Sequence, residues 1–303
     1  MEPSLVTSIG KIQLERPVML ASGILGISLD VFNRLYRSGA GAVVSKSLST
    51  EPWDGYPNPT IFGVNGGGWI NAVGLSNPGA PNFAKMIESN KDVPIIISLV
   101  GSIPEDFSTM VEQFKNSKVI AYELNLSCPH VAKVGLEVGD DPELVKKIVS
   151  TIKNSTNVPV IAKVGLGTTH YLNTVNAAID SGIDAITAIN TIRSIAIDVE
   201  TQRPILSNKF GGLSGTPIKP IALRCVYEIS SKYDIPIIGC GGISTWEDAI
   251  EFILAGASAI QIGSAIGDNW IHVFDDINKG MLQYMKRKGY SKIDEMIGLA
   301  KKS

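Results

Sequence analysis

A chain of 303 residues that is 44% hydrophobic and 18% charged, with a formal net charge of −2, has the composition of a soluble globular protein with a large buried core. That balance leaves no basic footprint for nucleic acid, no block of like charges, and no run approaching the ~18 apolar residues of a membrane span. Cys128, Cys225 and Cys240 are too few and too scattered for a disulfide framework, structural zinc or an iron–sulfur cluster, and His130, His170 and His272 lack metal-ligand spacing, so no protein-bound metal is expected.

The opening residues, Met1-Glu2-Pro3-Ser4-Leu5, have neither the basic start nor the apolar stretch of a secretion signal, which points to the cytoplasm. Leu5–Leu14, with Gly10-Lys11 at its middle, reads as a small hairpin. Eight apolar runs of buried-strand type follow: Pro17–Ser22, Ala42–Ser47, Val93–Gly101, Val119–Ser127, Val158–Val164, Ala185–Asn190, Ile235–Cys240 and Ala257–Gly263. Helical periodicity separates them, for example over Glu105–Lys115, Glu143–Lys153, Thr169–Ser181, Lys219–Lys232 and Thr245–Ala255. The last has a cap and acidic first turn in Ser244-Thr245-Trp246-Glu247 and a stop at Gly256.

Eight such units in about 250 residues predict an α/β fold, a (β/α)8 TIM barrel whose floor the N-terminal β-hairpin closes. The alternative, a doubly wound open sheet, lacks a Gly-x-Gly-x-x-Gly after the first strand. No linker or composition shift interrupts residues 1–303, which predicts one domain with its active site at the carboxyl ends of the strands.

Polar residues collect at those ends. Ala21-Ser22-Gly23, Ser45-Lys46-Ser47, Asn125-Leu126-Ser127-Cys128 and Asn190-Thr191 each end a strand, and Lys163 lies within one. A lysine in a barrel interior needs an anion or an acceptor, because an unpaired buried ammonium is costly. Pairing with Glu123 is the alternative to ligand binding, and it accounts for one lysine more easily than two. Gly239-Cys240-Gly241-Gly242 and Gly263-Ser264 end the last two strands, where this fold usually binds phosphate; the alternative is plain turns. Cys128 stands where a strand opens into the glycine-bearing stretch Val131–Asp141, a place suited to a nucleophile or base, although a lone cysteine is as readily a small buried hydrophobe. A phosphate anchor, two lysines and an asparagine-rich pocket beside a thiol suggest a phosphorylated planar cofactor, and flavin mononucleotide (FMN) fits.

The motifs Ala21-Ser22-Gly23, Lys46-Ser47, Asn71-Ala72-Val73-Gly74-Leu75, Asn125-Leu126-Ser127-Cys128-Pro129, Lys163, Asn190-Thr191, Gly211-Gly212-Leu213-Ser214-Gly215, Gly241-Gly242 and Gly263-Ser264 occur in an order that resembles class 1 dihydroorotate dehydrogenase along essentially the whole chain. The resemblance implies oxidation of (S)-dihydroorotate to orotate in pyrimidine (UMP) biosynthesis. It implies FMN contacts from Ser22, Lys46, Ser47, Ser98, Asn125, Lys163, Ile189, Gly215, Gly241, Gly242, Gly263 and Ser264. It implies substrate contacts from Lys46, Asn71, Ala72, Val73, Gly74, Leu75, Asn125, Asn190 and Thr191. Cys128 would be the catalytic base that takes the proton from C5 of dihydroorotate while C6 passes hydride to flavin N5; the membrane-associated class has serine there. A free thiol has a pKa of about 8.5, and Lys46 or His130 nearby would enlarge its thiolate fraction.

Asn77-Pro78-Gly79 after the substrate loop is similar to the NAD-linked class 1B pattern, whereas the fumarate-linked class 1A typically has Met before the glycine and Pro at position 76. Class 1B implies a homodimeric catalytic core and a partner subunit that carries FAD and an iron–sulfur cluster and passes electrons to NAD. Two departures stand out: His130 replaces an asparagine, and Ser98 replaces an asparagine with longer reach. Asn-Leu-Ser-Cys-Pro-His also occurs in dihydropyrimidine dehydrogenase, a uracil- and thymine-reducing alternative on the same barrel. That enzyme has an acidic residue at the position of Val73, where an acid would repel a substrate carboxylate, so Val73 with Lys46 favours orotate. The glycine-rich segment Pro52–Trp69 reads as a flexible rim, with a partner-binding surface as the alternative.

Overall fold

The computed structural model describes residues 2–127, 138–167 and 170–302. A hairpin of β1 (Thr7–Ile9) and β2 (Ile12–Leu14) precedes the first barrel strands, β3 (Val18–Leu20) and β4 (Ala42–Val44). An insertion then supplies β5 (Ile61–Gly63) and β6 (Trp69–Asn71), after which the barrel resumes with β7 (Ile95–Leu99), β8 (Ala121–Asn125), β9 (Val160–Val164) and β10 (Ala185–Ala188). A second insertion carries β11 (Ile192–Ile195), β12 (Ile197–Asp198), β13 (Arg203–Pro204) and β14 (Phe210–Ser214), and β15 (Ile237–Cys240) and β16 (Ala259–Ile262) complete the circle.

The barrel is closed and parallel, in the cyclic order β3-β4-β7-β8-β9-β10-β15-β16, so strands adjacent in the barrel sequence are adjacent in space. Helices cover its outside: α1 (Leu29–Arg37), α2 (Ala80–Ile87), α3 (Pro104–Gln113), α4 (Pro142–Ser155), α5 (Tyr171–Asp180), α6 (Lys219–Lys232), α7 (Trp246–Ala255), the five-residue α8 (Ala265–Asn269) and α9 (Val273–Lys288). Local chemistry fixes their ends. In α7 the Thr245 hydroxyl accepts from the Asp248 N–H, Asp248 accepts from the Thr245 N–H, and Gly256 closes the helix at φ +123°. None of these helices is long and apolar enough to cross a membrane.

The barrel interior is layered. Its lowest layer is apolar, with Met19, Ile96, Ala121, Ile161, Ala185, Ile238 and Ala259 packed against Ile9, Ile12 and Leu14 of the hairpin. The hairpin therefore plugs the floor, as the sequence predicts. Side chains on a strand return to the same face every second residue, so the next layer comes from positions two further along. There the chain places Ser98, Glu123, Lys163, Thr187, Cys240 and Gln261, all buried.

The two insertions form a sheet that the apolar runs do not predict. Strands β11, β14, β6 and β5 make an antiparallel four-stranded sheet in that order. Glycine-rich Pro52–Trp69 is thus more than a rim, since Ile61–Gly63 pairs with Trp69–Asn71. Gly211-Gly212-Leu213-Ser214 likewise lies on a strand.

Candidate active site

A hydrogen-bonded relay runs around the carboxyl ends of the barrel strands. Ser47, just beyond β4, is its hub: its hydroxyl lies 3.4 Å from the Ser22 hydroxyl after β3 and 2.9 Å from the Ser98 hydroxyl of β7. It also accepts from Asn125 Nδ2 at 3.1 Å. Asn125 Oδ1 in turn accepts from Asn190 Nδ2 at 3.1 Å and from the Ser127 N–H at 3.2 Å. Asn190 Oδ1 accepts from the Thr191 N–H at 2.8 Å. Five strand ends are therefore joined by side chains that neighbour one another only because the barrel closes.

Two cations flank this relay. Lys46 is half-buried, forms no ion pair with the described residues, and has its pKa held below the ordinary lysine value by burial. Lys163 is almost wholly buried, and its ammonium donates to Gln261 Oε1 at 3.0 Å and lies 3.8 Å from Glu123 Oε1. Burial works against that ammonium, but the Cys240 sulfur and the Glu123 carboxylate outweigh it and raise its pKa above the ordinary value. One lysine thus has the carboxylate partner considered from the sequence, and the other does not.

Beyond β15 and β16, the backbone N–H groups of Gly241, Gly242, Gly263 and Ser264 donate no hydrogen bond to the described residues. Gly242 has φ +75°, and a Cβ there would lie 2.7 Å from Lys219 Cβ and 2.8 Å from the Gly215 carbonyl oxygen, so only glycine fits. Gly215 in turn packs against Gly68, which brings the inserted sheet against this end of the mouth. Ile189 is buried, follows a cis peptide bond, and donates its N–H to the Cys240 carbonyl at 2.7 Å.

The Asn71–Leu75 loop leaves β6 beside the relay's last members. Asn71 Nδ2 donates to the Gly212 carbonyl at 3.4 Å, and a Cβ on Gly212 would fall 2.0 Å from the Thr191 hydroxyl oxygen. The inserted sheet thereby ties the loop to Asn190-Thr191. Ala72 is buried and Val73, Gly74 and Leu75 are half-buried. Ser98 is fully buried, and its hydroxyl lies 2.9 Å from that of Ser47. Cys128 and His130 lie outside the described residues, as does most of the stretch after them. Ser127, the last described residue before Cys128, has a buried hydroxyl oxygen without a hydrogen-bond partner among the described residues.

Sequence alone does not single out Gln261 or Thr187. Gln261 is a lone amide within the apolar run Ala257–Gly263, and that is the signal it offers. Chemically, the mouth offers two cations, an amide and hydroxyl relay, and free N–H groups at one end. That donor set suits a ligand with an anionic phosphate at one end and a polar ring at the other.

Comparison with known proteins agrees with this geometry. The family model for dihydroorotate dehydrogenase matches residues 4–285. The chain is 48% identical over 292 residues to the dihydroorotate dehydrogenase B (NAD(+)) catalytic subunit of Pyrococcus furiosus, covering 96% of this chain and 97% of the relative. It is 47% identical to the protein of that name from Thermococcus kodakarensis, with 95% of each covered, and 45% identical to that from Methanothermobacter thermautotrophicus, with 98% of each covered. The chain belongs to the dihydroorotate dehydrogenase family, on its class 1B branch.

Proposed function

We propose that this protein oxidises (S)-dihydroorotate to orotate in de novo pyrimidine biosynthesis, as an FMN-dependent catalytic subunit whose electrons reach NAD through a partner subunit. The observation that carries the reading is the relay Ser22–Ser47–Asn125–Asn190 flanked by Lys46 and Lys163 at the carboxyl mouth of the barrel. Relatives covering nearly the whole chain are named as NAD(+)-linked catalytic subunits of this enzyme.

The residues fit FMN. The free N–H groups of Gly241, Gly242, Gly263 and Ser264, with the Ser264 hydroxyl and the neighbouring Gly215, suit its phosphate. Ser22, Lys46, Ser47, Asn125, Lys163 and Ile189 would line its ring, and Ser98 would act through Ser47. When bound, FMN supplies the acceptor for the hydride. Lys46 places positive charge where the substrate carboxylate needs it. Asn125, Asn190 and Thr191, with the Asn71–Leu75 loop, would hold the pyrimidine ring by its carbonyl and N–H groups. Cys128 would take the proton.

The whole chain would act as one FMN-binding barrel unit and pair with a second copy. A partner carrying FAD and an iron–sulfur cluster accounts for the electron path, since three scattered cysteines here suit no cluster. Cys225 and Cys240 are free and buried, the state a reducing cytoplasm maintains, and the cytoplasm is where we place the enzyme.

The test is Cys128→Ala. The variant should keep its bound FMN and lose about a hundredfold or more of the rate at which dihydroorotate reduces it, the scale of a missing general base. Reduction at near the wild-type rate would refute the assignment of Cys128.

A further inference from the structure

The layer beneath the relay holds a polar cluster that the proposed chemistry does not yet use. Glu123 on β8 is fully buried, an expensive place for a carboxylate, and it stands directly above the apolar floor. Its Oε2 accepts from Gln261 Nε2 at 2.6 Å and from the Thr187 hydroxyl at 3.0 Å. Its Oε1 has no hydrogen-bond partner among the described residues and lies 3.8 Å from the Lys163 ammonium. Gln261 faces both ways, since its Oε1 accepts from Lys163 at 3.0 Å while its amide nitrogen holds the carboxylate.

Hydrophobic residues would fill a barrel layer more cheaply than a buried ion pair. The pair therefore points to a task for the ammonium. Asn125, a member of the relay, sits in register with Lys163 on the neighbouring strand, so the lysine stands immediately below the mouth. The titratable groups facing it are Glu123 from β8 and Cys240 from β15. Burial pushes the Cys240 thiol up, while the Lys163 ammonium beside it works in the opposite direction. Gln261 and Thr187 carry no charge.

We propose that Glu123 and Gln261 are positioning residues for Lys163: the carboxylate supplies the countercharge that keeps the lysine protonated, and the amide bridge fixes its ammonium under the cofactor. This rests on the FMN reading above. A fixed positive charge there favours the reduced, more negative flavin and raises its midpoint potential. Without Glu123, only the Cys240 sulfur would oppose burial at Lys163, and the lysine would shift toward the neutral amine as pH rises.

The experiment measures the midpoint potential of bound flavin across the neutral and alkaline range for four full-length proteins: wild type, Glu123→Gln, Lys163→Met and the double variant. Wild type should show no lysine-linked bend. Glu123→Gln should show one, its potential falling below wild type on the alkaline side. Lys163→Met and the double variant should superimpose, because Glu123 acts only through the lysine. A Glu123→Gln profile that tracks wild type overturns the proposal, as does an effect of Glu123→Gln that persists at full size in the Lys163→Met background. If Glu123→Gln alone does not fold, the two Lys163→Met proteins carry the test, since the double variant buries no unpaired charge. Wild-type protein that binds no flavin contradicts the FMN reading itself, whereas flavin bound without the expected response contradicts this proposal alone.

Discussion

Asn190 donates its side-chain N–H to Asn125 Oδ1 at 3.1 Å, which ties the end of the sixth barrel strand to the fourth across the mouth above β9. The bond orients the Asn125 amide so that its nitrogen faces Ser47 and its oxygen faces Asn190 and the Ser127 N–H. The segment leading to Cys128 is thereby anchored to the same amide that completes the relay.

Asn125→Ala should therefore damage more than one contact. Each of the three hydrogen bonds at Asn125 contributes on the order of 1 kcal/mol, so the unfolding free energy should fall by about 1–3 kcal/mol. Bound flavin should decrease and its reduction by dihydroorotate should slow, measured by absorbance after purification and by stopped flow. A variant equal to wild type in flavin content and reduction rate would contradict the relay as the organising feature of the site.

The phosphate end makes a separate prediction. A Cβ at position 242 must push against Lys219 and the Gly215 carbonyl while holding φ near +75°. A strained backbone of this kind costs about 1–3 kcal/mol, which corresponds to roughly tenfold or more in affinity if it falls on the bound state. Gly242→Ala should lose FMN on dilution or dialysis far faster than wild type, followed by flavin fluorescence in the filtrate. Equal retention would place the phosphate elsewhere.

Much of the architecture was legible in sequence because parallel barrel strands, buried on both faces, leave uninterrupted apolar runs. Ile95–Leu99 and Val160–Val164 are examples, and all eight predicted runs contain a barrel strand. The hairpin was legible from Gly10-Lys11 between short apolar stretches. The inserted sheet was not. Strands such as Ile61–Gly63 and Trp69–Asn71 are three residues long and lie among glycines, too short to show an alternation. The Glu123–Gln261–Thr187 cluster was hidden for another reason. Glu123 and Gln261 are 138 positions apart, and only barrel closure makes them neighbours. Lys163 against Glu123 was accessible because both sit in recognisable strands.

Acid sensitivity should centre on Asp248. Burial raises its pKa, but the Lys219 ammonium, the N–H groups of Ser244 and Thr245 and the Ser244 hydroxyl outweigh burial and hold it below the ordinary carboxylate value. A group with a depressed folded pKa stabilises the fold fully above its unfolded pKa, about 3.9 for Asp, and loses that contribution as pH falls through the folded value. Asp248→Asn should lower stability at neutral pH and flatten the acid limb of the stability profile, read by denaturant unfolding at several pH values. An unchanged acid limb would show that the carboxylate is not linked to folding.

Anaerobic flavin bleaching of the purified chain with dihydroorotate and, separately, with dihydrouracil tests the proposed dihydroorotate oxidation. Dihydroorotate should bleach the oxidised flavin band and dihydrouracil should not, because Lys46 and Val73 suit a substrate carboxylate. Bleaching by dihydrouracil alone would contradict that proposal and move the enzyme to dihydropyrimidine chemistry.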